Sequence, residues 1–288
     1  MGREDNIRIF HETEKLCKEN LRLSEAISKS VKAQIVVSEK DVLADVEKKI
    51  YKDPAEIVIS QKRSLEAASE YPLNKVCVHN FASASNPGGG VTRGSNAQEE
   101  CLCRCSSLYF CLNTKRMWEQ FYAPHRAMHN PIHNDDIIYT PSVVVFKTDT
   151  AEPKLLQEKD WYKVNMITCA APNLRNRPSN AYNTGDGKVS VNVTDKELFD
   201  IHVKRLRRIL DVALVNGNEV VILGAFGCGA FTNNPEVVAE AAKKVIKEYR
   251  QAFVAIEFAI YCSPWDSENY KIFKRVLGDI VEEERDKK

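Results

Sequence analysis

Apolar and polar positions switch between a helical and an extended period along the chain, and each switch marks an element. Ile7, Phe10, Leu16, Leu21, Leu23 and Ile27 form a rough apolar face that predicts a helical region over residues 5–31, followed by a short strand in QIVVSE (34–39). Residues 53–68 combine the apolar run IVIS with a charged helical stretch, Tyr71-Pro72 punctuates the chain, and KVCVHNF (75–81) reads as a strand. Ser95 and Gln98 have capping-box spacing, and Leu102, Cys105, Leu108, Tyr109 and Leu112 form a stripe behind them, which predicts a helix from near Asn96. IIYTPSVVVFKT (137–148) and VNMITCAAP (164–172) are β-rich runs around a polar excursion. Thr194 or Asp195 then caps a long helix that Gly217 ends, and EVVILGAF (219–226) has the near-continuous apolar character of a strand covered on both faces. Asn234 is a good N-cap with Pro235 at the first helical position; FVAIEFAIYC and SENYKIFKRVLGDIVEE supply a last strand and helix. Strands alternating with helices predict an α/β sandwich with a mixed or mostly parallel sheet, without internal repeat, low-complexity tract or linker.

Composition refines this only slightly. At 288 residues, with 43% hydrophobic and 28% charged positions, the chain has the make-up of one large soluble domain. Lys and Arg total 41 against 40 for Asp and Glu, so an anionic ligand needs a local site and a DNA-binding surface is not expected. The opening MGREDNIRIF has no apolar core of a signal peptide and no run is long enough to span a bilayer, so a cytoplasmic protein without membrane binding is expected. Nine cysteines, several within expected strands or helices, read as reduced thiols.

Candidate chemistry gathers at two glycine-rich loops, each joining an apolar strand to a helix start. In NPGGGVTRGSNAQEE (86–100) three successive glycines allow close backbone approach, and in GAFGCGAFTNNP (224–235) Gly224, Gly227 and Gly229 suit an anion nest assisted by the helix dipole. Neither matches the Rossmann or P-loop pattern, which disfavours a P-loop nucleotide hydrolase. Glu99 and Glu100 follow the first loop. From spacing alone, stabilisation of the helix N-terminus is the preferred reading for them; adjacent residues diverge by about 100° on a helix, so one could also face a ligand while the other holds the loop.

HNFASASNPGGG, followed after seven residues by QEE and then by CLCRCSSLY, resembles the signature of microbial-type poly(ADP-ribose) glycohydrolases. IIYTPSVVVF, MITCAAPN and LGAFGCGAFTNNP are similar to further blocks of that family in the same order, so the likeness runs from about residue 10 to 265. The resemblance implies a three-layer α/β/α macrodomain with a mixed central sheet and an N-terminal helical extension: one domain over 1–288, with the extension at 1–70 and the core at 71–270. It implies cleavage of the ribose–ribose O-glycosidic bond of poly(ADP-ribose), releasing ADP-ribose; no cofactor is expected, and no metal, because no coherent ligand set of His, Cys, Asp and Glu emerges from the chain. Glu100 would be the catalytic acid and Glu99 would position ribose hydroxyls. Gly88, Gly89 and Gly90 would surround the scissile ribose, with Asn86 and Gln98 in the substrate-binding set. Gly227, Cys228, Gly229, Ala230 and Phe231 would hold the diphosphate, Phe231 also packing beside the terminal ribose. Partners would be poly(ADP-ribose) and ADP-ribosylated proteins, and the near-neutral charge favours exo-type trimming by a monomer over tracking along a polymer. A non-catalytic ADP-ribose reader and a mono-ADP-ribosyl hydrolase would use the same pocket; the intact QEE argues against the reader.

A glutamate at a helix start has its pKa lowered by the dipole, so Glu100 is expected to become an effective acid mainly with the diphosphate bound and water excluded. His125, His129 and His133 are spaced by four, but Pro124 and Pro131 interrupt any helix aligning them, so surface or loop histidines are expected. Cys101, Cys103 and Cys105 read as packing residues, and RLRR (205–208) as a solvated helix face.

Overall fold

Asn20 divides the expected N-terminal helical region in two: its backbone is extended, and its side-chain oxygen accepts the N–H of Leu23 at 3.1 Å to start a second helix. The computed structural model describes residues 2–43, 46–180, 185–263 and 265–285. In chain order the helices are α1 (Arg3–Glu19), α2 (Leu21–Ala33), α3 (Ser64–Ala68), α4 (Gln98–Cys105), α5 (Leu108–Leu112), α6 (Lys115–Met117), α7 (Ala123–Met128), α8 (Asp195–Val215), α9 (Pro235–Glu248) and α10 (Glu268–Arg285), with a π-helical turn at Trp118–Tyr122. The strands are β1 (Ile35–Val37), β2 (Glu56–Ser60), β3 (Val76–Phe81), β4 (Ile137–Val145), β5 (Tyr162–Cys169), β6 (Val220–Leu223) and β7 (Ala255–Ala259). They form a mixed seven-stranded sheet in the order β1-β4-β5-β3-β6-β7-β2, the expected fold class. None of the described helices is long and apolar enough to cross a membrane.

The contacts of the chain gather into two compact units. One comprises Met1–Lys40 and Asn80–Val191. Its strands β1, β4 and β5 run antiparallel, and β4 is interrupted between Thr140 and Val143, where Ser142 takes φ +56° and its N–H is accepted by Asn165 Oδ1 at 2.9 Å. The other comprises Asp41–His79 and Asn192–Lys288, with β6 parallel to β3 and β7, and β2 parallel to β7. Its strands β6 and β7 are buried at every position; the apolar run of β6 requires this, whereas β7 also buries Glu257, whose carboxylate accepts the hydroxyls of Ser60 and Tyr71. The local signals for α8 and α9 are met: Thr194 Oγ1 accepts the N–H of Glu197, and Asn234 Oδ1 accepts that of Glu236.

Four expectations are corrected. Ser95 and Gln98 form no capping box; α4 begins after Ala97, whose N–H donates to Glu100 Oε2 at 2.9 Å, while Gln98 Oε1 accepts the N–H of Phe81 at 2.9 Å. The apolar stripe behind them belongs to two helices, because Ser107 leaves the helix to donate its N–H to the Val144 carbonyl. Of the histidines expected at the surface or in loops, His133 lies in a loop but is buried, and His125 is buried on α7. Protein groups meet their rings: the Phe121 carbonyl and Asn134 for His125, and the Ala171 carbonyl at Nδ1 with Asp186 3.3 Å from Nε2 for His133. In RLRR, Arg207 pairs with Glu248 at the surface, but Arg205 is buried, which departs from a wholly solvated face.

Candidate active site

Glu99 and Glu100 stand in the first turn of α4 and are both buried, at 3% and 7% exposure. A buried carboxylate needs donors, and here they come mainly from the main chain. Glu100 Oε1 accepts the N–H of Gly90 at 2.8 Å, and Oε2 that of Ala97 at 2.9 Å. Glu99 Oε2 accepts the N–H of Ser83 at 2.8 Å and Oε1 the amide of Asn80 at 3.2 Å; Asn80 itself is fixed on β3 and also donates to Thr168 Oγ1.

The triple glycine makes this possible. Gly88 and Gly89 have φ of +67° and +59°, which L side chains rarely adopt. A Cβ added at Gly89 would lie 2.5 Å from Glu100 Oε1 and 3.2 Å from Glu99 Oε2, so the loop backbone rests directly on both carboxyl groups. Asn86 closes the same turn: its carbonyl accepts the N–H of Gly89 at 3.0 Å, and its own N–H donates to Ser83 Oγ. Helix α1 braces the far end of the loop, Asn6 donating to the Gly94 carbonyl at 3.1 Å and Thr13 to the Arg104 carbonyl at 2.6 Å.

Burial decides the protonation of the pair. Desolvation, against the opposing pull of the Ser83 N–H and with the negative charge of Glu100 adding to it, raises Glu99 to about 8. Desolvation also raises Glu100, with the N–H groups of Gly90 and Ala97 and the charge of Arg104 pulling the other way. The upward shift of Glu100 is therefore present in the free protein, before any diphosphate arrives, and the helix dipole does not hold this carboxyl low.

In the second unit, Gly224–Asn233 folds back on itself after β6. Gly227 has φ +79°, and the N–H groups of Phe226, Cys228, Thr232 and Asn233 donate to the carbonyls of Gly224, Ala225, Gly229 and Gly227. The N–H groups of Gly227, Gly229 and Ala230 make no such bond among the described residues, and Gly229 and Ala230 are exposed. Helix α9 contributes little donor capacity, since Pro235 has no N–H and Asn234 takes that of Glu236. Phe231 is half-buried, and its carbonyl accepts from Asn233, whose Oδ1 is 2.8 Å from Nε2 of the buried His202. His202 is lowered to about 4 by burial, so it stands neutral beneath the loop. The Cys228 thiol is pushed up by burial, which makes it a poor thiolate.

The predicted residues of the first loop thus meet around the carboxylates, except that Gln98 is engaged by the end of β3. Sequence reasoning missed Asn80, Ser83 and Arg104. Only Arg104 carried a signal, its four-residue spacing from Glu100 on α4. Among the described residues no group of His, Cys, Asp and Glu is arranged to hold a metal ion.

Neighbouring carboxyls held toward their protonated forms in a water-poor site suit acid-assisted cleavage of a glycosidic bond. On a macrodomain-like α/β sheet this defines a glycosidase. The chain belongs to the family of microbial-type PARG, poly(ADP-ribose) glycohydrolase, catalytic domains, whose model matches residues 4–148, just over half of its length. It is similar to the crystal structure of poly(ADP-ribose) glycohydrolase from Thermomonospora curvata, with 27% identity, a TM-score of 0.82, and 95% of this chain and 99% of that one covered. The same enzyme bound to the inhibitor ADP-HPD gives 27% identity and a TM-score of 0.77 over 94% and 99% of the two chains. The Deinococcus radiodurans enzyme in complex with ADP-ribose gives 27% identity and a TM-score of 0.74 over 88% and 98%. A search of curated proteins found no match.

Proposed function

We propose that the chain hydrolyses the ribose–ribose O-glycosidic bond of poly(ADP-ribose) mainly from chain ends, with Glu100 as general acid and then base. The observation that carries this reading is the Glu100 carboxyl itself, buried against Gly89, raised by desolvation and held back by main-chain donors and Arg104. A carboxyl raised in this way holds a proton more readily than an exposed glutamate and can give it up and take it back in the reaction. In the first step Glu100 gives its proton to the departing ribose oxygen as the anomeric carbon gains oxocarbenium character. In the second, water attacks that carbon and its proton returns to Glu100.

Glu99, neutral at pH 7 with a carboxyl raised to about 8, orients the ribose hydroxyls. The diphosphate is taken by the N–H groups of Gly227, Gly229 and Ala230, and Phe231 limits the terminal ribose. The crystal structures of relatives with ADP-ribose and ADP-HPD support a ligand of this class. The near-equal charge totals support recognition of a terminal unit over a long cationic track. Incubation with poly(ADP-ribose), with products separated by chromatography, tests the reading: monomeric ADP-ribose is expected from the first turnovers. Binding without release of any product would identify a reader, and early appearance of oligomers would overturn the exo preference.

A further inference from the structure

Arg104 is 1% exposed, one turn beyond Glu100 on α4. It forms no ion pair among the described residues, an expensive state for a buried guanidinium. Its fork is used otherwise. Nη1 donates to the Ser95 carbonyl at 2.6 Å, and Nη2 donates to Asn96 Oδ1 at 2.6 Å and to Cys101 Sγ at 3.2 Å. Ser95 and Asn96 lie in the connection between Gly90 and Ala97, and Ser95 in turn donates its N–H to the Gly90 carbonyl at 3.2 Å. Gly90 and Ala97 supply the two donors outside α4 that hold the Glu100 carboxylate.

We infer that Arg104 is a positioning residue for hydrolysis: it clamps the Ser95–Asn96 segment so that the N–H groups of Gly90 and Ala97 stay on Glu100, and it supplies the buried positive charge that this carboxylate faces. The inference rests on the reading of Glu100 as the acid. Arg104 touches no reacting atom and acts entirely through Glu100. Its charge opposes the desolvation that raises the Glu100 carboxyl, so it keeps that group able to cycle its proton. Lysine would keep the charge but lose the planar fork that spans Ser95 and Asn96; methionine would lose both.

The two variants separate clamp from charge. For Arg104→Lys, kcat for ADP-ribose release from poly(ADP-ribose) is expected to fall roughly 10–100-fold through misplacement of Glu100, with the alkaline limb of kcat/KM moved upward less than in Arg104→Met, because the charge is kept and only the hold of the N–H groups is loosened. For Arg104→Met that limb is expected about one pH unit or more higher, because an acid catalyst loses activity as pH rises through its pKa and removal of a nearby cation raises that pKa. A merely structural arginine would alter yield and melting temperature without moving the limb. Wild-type kcat in Arg104→Lys, or an unmoved limb in Arg104→Met, overturns the inference. Should Arg104→Met not fold, the kcat of Arg104→Lys decides alone. Glu100→Gln assayed alongside separates the two levels: normal turnover there sinks the reading of Glu100 itself, whereas its collapse beside an unaffected Arg104→Lys sinks only the role of Arg104.

Discussion

Replacing Gly89 by alanine adds a single methyl group where the loop lies against both carboxyls. The added Cβ would stand 2.5 Å from Glu100 Oε1, and ordinary contact begins at 3.4 Å, so the carboxylate or the loop must give by about 0.9 Å (3.4 − 2.5). The φ of +59° adds left-handed strain of about 1–2 kcal/mol for a residue with a Cβ. Spread over a 288-residue chain, with an unfolding entropy near 0.6 kcal/mol/K, that strain lowers the melting temperature by only about 2–3 °C. A catalytic group displaced by close to 1 Å loses on the order of 10²-fold in rate, about 2.7 kcal/mol of barrier. Gly89→Ala is therefore expected to fold, to melt slightly earlier and to release ADP-ribose about a hundredfold more slowly in initial-rate assays. Gly278→Ala is the control: an added Cβ there meets nothing within 4 Å, and activity should be unchanged. A folded Gly89→Ala with near-wild-type kcat/KM would refute the idea that this contact sets the position of Glu100.

Glu100→Gln presents an NH₂ to one of two main-chain donors, so it should cost about 1–3 kcal/mol of stability, above the 0.3–1 kcal/mol of a helix-dipole contribution alone. It should still bind ADP-ribose by calorimetry while turnover drops roughly 10²–10⁴-fold; near-normal turnover would exclude Glu100 as the acid. Because Glu99 is raised from 4.5 to about 8, the folded state binds the extra proton between those values and its contribution to stability is lost as pH rises across that window. Denaturant titrations from pH 5 to 8 should show that decline flattened in Glu99→Gln, and an unchanged slope would contradict a protonated Glu99. Phe231→Ala should slow release of terminal units while melting temperature stays nearly constant; a large thermal loss would mark the ring as a core anchor instead.

What the sequence disclosed was local. The caps Thr194 and Asn234 and the buried run of β6 are governed by residues next to each other in the chain, and the structure places them as expected. Features set by distant partners were not legible. Ser107 breaks the helical stripe because a carbonyl on β4 accepts its N–H. Gln98 serves β3 rather than a helix cap, and His133 is buried because the Ala171 carbonyl, 38 residues away, reaches its ring. The electrostatics of Glu100 failed for the same reason: a first-turn position argues for a lowered pKa, while its burial depends on how the glycine loop closes over it.

Five of the groups that hold the two carboxylates are peptide N–H groups, of Ser83, Gly88, Gly90, Ala97 and Glu100 itself. Every amino acid except proline carries that donor, so substitution at Ser83 or Ala97 leaves it in place as long as the path of the chain survives. What these positions must supply is a backbone shape and not a particular side chain. A site wired in this way tolerates change in the side chains along the loop for as long as the loop keeps its course.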